Sequence, residues 1–176
     1  AAPLLVDGRR GRHRGRGRRV RGRAVDGRGL PQDDGDDRVA DYLARDLAGH
    51  IDHEFRTLGA SRRALDGLST GGFTSLMVAA WRPGAYRSVG SMSGSFDERS
   101  FQTMKDCLDA LRSSGPRFLL SCGLQEPHLD ACKGMYQHLR GLGLAAEWRE
   151  APGGHDWPVW RALLGEHLRF HWNQLK

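Results

Sequence analysis

The 176 residues contain no apolar run of eighteen or more, so no membrane-spanning helix is expected. The three cysteines, Cys107, Cys122 and Cys132, are odd in number and lack the paired spacing of a metal site. They are expected to be reduced, buried thiols in a cytoplasmic protein. The opening stretch AAPLLVDGRR lacks the charged-then-apolar layout of a secretory leader. Residues 8–30, GRRGRHRGRGRRVRGRAVDGRGL, lack any Phe, Tyr or Trp and hold one acid, Asp26, against ten Arg. The overall charge of +6 is therefore local: this stretch carries +9, leaving about −3 on the rest. Clustered Arg neutralises phosphates, which makes nucleic-acid binding through this stretch an alternative function. His13 is its sole ring, so it lacks the stacking partners that single-strand binders use, and nucleic acid is not the expected partner. With so few apolar residues, 8–30 is expected to be disordered within a single domain spanning 1–176.

Alternation of strand and helix signals fills the remainder. PLLV, residues 3–6, reads as a short buried strand. From Asp36 or Asp37 as cap, Val39, Tyr42, Leu43, Leu47, His50, Ile51 and Phe55 recur at helical spacing and predict an amphipathic helix. SRRALDGLS is a strand candidate leading into a tight turn. FTSLMVAAW is a helix buried along Phe73, Leu76, Met77, Ala80 and Trp81, stopped by Pro83-Gly84. YRSVGSMSGSF, PRFLLSCG and AAEWREA are further strands. Helices are expected over 98–112, along LDACKGMYQHLRGLG, and at the C-terminus, where Trp157, Trp160, Leu164, Leu168 and Trp172 form the expected apolar stripe. Such alternation implies a mostly parallel sheet with helices on both faces, and chemistry then gathers in the loops at the carboxyl ends of the strands.

Three such loops carry candidates. Gly67-Leu68-Ser69-Thr70-Gly71 is a G-x-S-x-G turn between a strand and a helix. Its geometry projects the Ser69 hydroxyl and points the Thr70 N–H, at the positive end of a helix, towards a developing oxyanion. Serine needs a base, and the base needs an orienting group. His155 in GGHDW suits the base, because Gly153 and Gly154 allow close approach and the loop precedes the last helix. The acid belongs between the two in the chain. CGLQEPHLD offers Glu126, just past a strand, and Asp130, four residues on, where it would serve a helix N-terminus. His50 and His53 read as solvated surface rather than a metal pair, and His128, His138, His167 and His171 lie in helical stretches. No metal site and no cofactor are expected.

Together GLSTGGF, CGLQEP and PGGHDWPVWR resemble the α/β-hydrolase serine esterases, the group that takes in the esterase D (S-formylglutathione hydrolase-like) proteins and the enterochelin esterases. The likeness covers roughly residues 33–176. It implies an α/β-hydrolase fold, a Ser69–His155–Glu126 triad and hydrolysis of carboxylic esters through an acyl-enzyme. The substrate it implies is a small acyl or siderophore-type ester, with no cofactor. The QEP form is closer to the enterochelin esterases. PLLVDG resembles the early strand whose loop supplies the second oxyanion donor, near Asp7, Gly8 or Arg9. The Arg/Gly stretch stands where such proteins carry another apolar strand, so the N-terminal strands are expected to be reduced. Acyl transfer to an alcohol is the near alternative, and a hydrolase fold without activity a further one. Residues 97–114 are read as part of a cap over the site.

Overall fold

The computed structural model describes residues 34–176. The expected strand at PLLV, the Arg/Gly stretch 8–30 and the oxyanion position at Gly8 lie outside the described residues. Four strands, β1 (Ala64–Leu65), β2 (Ser88–Met92), β3 (Arg117–Gly123) and β4 (Ala146–Ala151), form one parallel sheet in the order β1-β2-β3-β4. Among the described residues, seven α-helices surround it: α1 (Asp34–Asp41), α2 (Ala48–Glu54), α3 (Thr70–Trp81), α4 (Glu98–Asp106), α5 (Leu108–Ser114), α6 (Leu129–Gly141) and α7 (Trp157–Leu175).

Residues alternate between the two sheet faces, and the faces differ in chemistry. Val89, Phe118, Leu120 and Cys122 point to one side, where they pack with Leu76 and Met77 of α3, Met104 of α4, Leu111 of α5, and Met135 and Leu139 of α6. Met92 and Ala151 join Val159, Trp160 and Leu163 of α7 in a second, smaller cluster. Ser88 and Ser121 also meet α7, through His171 and His167. The face towards α3–α6 is thus the apolar core, and the face towards α7 is part polar.

Several expectations need correction. α7 does not bury the stripe read from its sequence. Trp160 is inside, but Trp157, Leu164, Leu168 and Trp172 are 64%, 45%, 60% and 67% exposed. Its inward face is Val159, Trp160, Leu163, His167, Phe170 and His171. The first helix starts at Asp34, so Asp36 and Asp37 lie within it rather than capping it. Between α1 and α2 the helix widens into a π-helical stretch, Tyr42–Leu47. Across α1, this stretch and α2, the buried residues are the small Ala40 and Ala48, Leu43 and Ala44 pack partly buried against the core, and Val39, Tyr42, Ile51 and Phe55 are exposed. Residues 97–114 are no cap: Met104 and Leu111 are fully buried in the main core, so α4 and α5 are the crossover between β2 and β3. Asp97 begins α4 with a reciprocal capping box to Ser100. All three cysteines are free and buried. No described helix is long and apolar enough to cross a membrane.

Candidate active site

Because the strands are parallel, β1, β3 and β4 all deliver their following loops to one edge of the sheet. The loop after β1 is stitched to β2: the Met92 N–H donates to the Gly67 carbonyl at 2.9 Å and the Ser69 N–H to the Met92 carbonyl at 2.8 Å. The chain then turns so sharply that Ser69 takes φ +55° and ψ −123°, a conformation costing a side-chain-bearing residue about 1–3 kcal/mol. Two glycines make the turn possible, and they are not the pair the motif suggests. A Cβ on Gly67 would sit 2.3 Å from the Gly71 carbonyl group, and one on Gly72 would sit 2.8 Å from Ser91 Oγ. Gly71 would meet nothing within 4 Å.

Ser69 Oγ lies 2.8 Å from His155 Nε2. His155 Nδ1 lies 2.8 Å from Glu126 Oε2. An ionised carboxylate only accepts, so Nδ1 carries the ring proton and Nε2 is left to accept from the Ser69 hydroxyl. Glu126 is buried; its Oε1 accepts from Ser93 Oγ at 2.6 Å and from the Gly123 N–H at 2.8 Å. Burial alone would raise the Glu126 carboxyl. The hydrogen bonds from Ser93, His155 and the Gly123 amide outweigh it and hold the group below its usual range, so it stays charged. Asp130 stands apart, exposed in the first turn of α6. Asp156 caps α7, its side chain accepting from the Val159 N–H at 3.3 Å.

Ser69, Thr70, Phe73, Ser93, Ser95 and His128 line a cavity of about 340 Å³ at this edge. Ser93 and His128 are neighbours that the sequence does not single out, while Trp160 belongs to the PGGHDWPVWR motif and lies beside them. Ser93, at φ +55°, links Glu126 to Trp160, whose Nε1–H donates to Ser93 Oγ at 3.0 Å. The Trp160 and His128 rings stand edge-on to the His155 ring, with centroids 5.0 and 5.5 Å away. Small residues at a strand's carboxyl end, SMSGS, were the available signal for Ser93. Nothing in a helix-start histidine marks His128 beforehand.

His167 and His171, set aside as helical, are also brought together, with Asp66. Asp66 Oδ2 lies 2.7 Å from His167 Nδ1 and 2.6 Å from His171 Nε2. Burial pushes the Asp66 carboxyl up, but the two imidazole bonds prevail and hold it below its ordinary value. His50 and His53 are at the surface, as expected.

Comparison with known proteins agrees with this architecture. An iron(III) enterobactin esterase of Escherichia coli (strain K12) is 31% identical over 124 residues, 66% of this chain but 31% of that protein. The chain thus spans about a third of the relative it matches. A ferulic acid esterase structure superposes with a TM-score of 0.68 at 23% identity, covering 77% of this chain and 61% of the other. The enterobactin esterase FES of Shigella flexneri, solved in the presence of enterobactin, does so at 0.61 and 27%, covering 77% and 36%. These neighbours share the α/β-hydrolase fold. The family model described as "Putative esterase" matches residues 12–171, nearly the whole chain, and the protein belongs to that esterase family.

Proposed function

We propose that the protein is a serine esterase with Ser69 as nucleophile, His155 as base and Glu126 as the group that orients the imidazole. The observation that carries this is the unbroken pair of 2.8 Å contacts from Ser69 Oγ to His155 Nε2 and from His155 Nδ1 to Glu126 Oε2. Ser69 Oγ bonds to the ester carbonyl carbon as its proton passes to His155 Nε2. The imidazolium is stabilised by the Glu126 carboxylate. The Thr70 N–H, at the start of α3 where amides lack a helical partner, is the oxyanion donor, and Gly8 is the expected second one. Collapse of the tetrahedral adduct breaks the ester C–O bond, and His155 returns the proton to the departing alcohol. Water, deprotonated by the same imidazole, then releases the acid and restores Ser69.

A cavity of about 340 Å³ is at the small end for ligand sites, which suits a single acyl group and its ester rather than a fully enclosed large substrate. The likeness to enterobactin esterases supports a siderophore-type ester presented one ester at a time. The test is hydrolysis of a p-nitrophenyl acyl ester by the parent and by Ser69→Ala, with fluorophosphonate labelling in parallel. A burst of p-nitrophenol and a label, both absent from the variant, are expected. Equal rates in the two proteins would reject Ser69.

A further inference from the structure

The α7 side of the sheet carries a second set of converging polar groups, unconnected to the cavity. His167 and His171 are four apart on α7, so both rings leave the same side of the helix. They meet the carboxylate of Asp66, which follows β1. The Asp66 carboxylate oxygen and the two imidazole nitrogens all lie within 4.8 Å of one another. Asp66 Oδ1 is buried and has no hydrogen-bond partner, an acceptor lone pair left without a donor. The sheet makes room for this group. A Cβ on Gly90 of β2 would fall 2.0 Å from Asp66 Oδ2. The outer imidazole nitrogens are held as well, His167 Nε2 at 2.8 Å from Ser121 Oγ and His171 Nδ1 at 2.8 Å from Ser88 Oγ.

We propose that Asp66, His167 and His171 form a binding site for a zinc-type divalent transition cation that fastens α7 to the sheet. Two imidazoles and a carboxylate are the donor set that borderline cations prefer, and i,i+4 histidines on a helix are a recurrent way to present two of them. Tetrahedral zinc holds ligand atoms about 3.3 Å apart, so the three atoms spread by roughly half an ångström when it enters. Asp66 Oδ1 or a water supplies the fourth donor. His167 Nδ1 and His171 Nε2 become the ligating nitrogens. Each ring then carries its proton on the outer nitrogen and donates to Ser121 or Ser88, the outer-shell contact that fixes a metal-bound imidazole. Its hydrogen bonds run to one another and to Ser88 and Ser121 and not to Ser69, His155 or Glu126, so metal binding can be tested apart from the esterase reading.

The full chain, stripped with a chelator, is titrated with Co²⁺ and followed by its visible d–d absorption. One equivalent of Co²⁺ in a low-symmetry site, displaced by Zn²⁺, is expected, without thiolate-to-metal charge transfer. Asp66→Asn and His171→Gln are expected to lose at least 100-fold in affinity, and Ser121→Ala about 10-fold. His50→Ala/His53→Ala is expected to bind as the parent does, and Zn²⁺ is expected to raise the melting temperature of the parent but not of His171→Gln. No stoichiometric binding by the parent overturns the proposal. Parent-like binding by a His171→Gln protein with native circular dichroism does so as well. Should that variant not fold, the X-ray absorption spectrum of the Zn²⁺-loaded parent decides: scattering from two imidazoles supports the site, and its absence rejects it.

Discussion

Two serine–histidine–carboxylate chains run through this fold, one at the rim of the sheet and one beneath it. At the rim, Ser69, His155 and Glu126 form a single line with a cavity at the serine end. Beneath, Ser121 and Ser88 each reach a histidine, and both histidines share Asp66. The residue types are the same, yet their settings differ in every respect that matters for reactivity. Ser69 sits on a strained turn beside a cavity. Ser88 and Ser121 lie in regular strand with no exposed surface at all. A hydroxyl with nowhere to place a substrate is a hydrogen-bond donor, not a nucleophile. Position relative to the strand ends, not composition, separates the two.

The largest expected contrast comes from the serines. Ser69→Ala should lower kcat by about 10⁴–10⁶, whereas Ser121→Ala should stay within about threefold of the parent, both measured on a p-nitrophenyl ester. Loss of activity in both would erase the distinction drawn here. Next, Glu126→Gln should cost about 10³–10⁴ in kcat with little change in KM, since the amide stabilises the wrong imidazole tautomer. The turn itself gives the third contrast. Gly67→Ala forces a Cβ into the Gly71 carbonyl and should cost about 3 kcal/mol or more, while Gly71→Ala should be neutral within about 1 kcal/mol, as read from urea unfolding. Ser93→Ala, which leaves Glu126 Oε1 with the Gly123 amide alone, should reduce kcat about tenfold.

The smallest effect is on acid stability. Glu126 is held below its ordinary value of about 4.3, so its contribution is fully present above that pH. That contribution fades as pH falls through the lower folded value. The melting-temperature gap between the parent and Glu126→Gln should therefore narrow from pH 7 to pH 3. A gap that widens would show the carboxyl shifted the other way.

The sheet was readable because strands and helices alternate and end in glycine turns. Ser69, Glu126 and His155 could be nominated because each follows a strand, and the order of strands puts those loops together. Other features were hidden for specific reasons. Ser93 contributes through a single hydroxyl at a strand end, with no pattern of its own. The buried face of α7 departs from its apolar stripe because apolar spacing predicts what a helix could bury, not what the facing sheet surface accepts. Here Ser88, Gly90 and Ser121 leave that surface small and polar, and it takes imidazoles instead of Leu164 and Leu168. The first helix differs in part for the same reason: Ala40 and Ala48 turn inward and Leu43 packs against the core, but Val39, Tyr42, Ile51 and Phe55 remain outside.

α7 has one further consequence, for handling the protein. Leu168 and Trp172 stay outside while Val159, Trp160, Leu163 and Phe170 are buried, and Asp66 anchors His167 and His171 among them, so apolar and polar contacts together set the helix's orientation. The same helix follows directly on His155, and a chain that docked it greasy side down would carry the imidazole away from Ser69. Such a molecule would keep its helical content in far-ultraviolet spectroscopy and is expected to be inactive. Counting competent molecules therefore calls for active-site titration, not for a protein concentration.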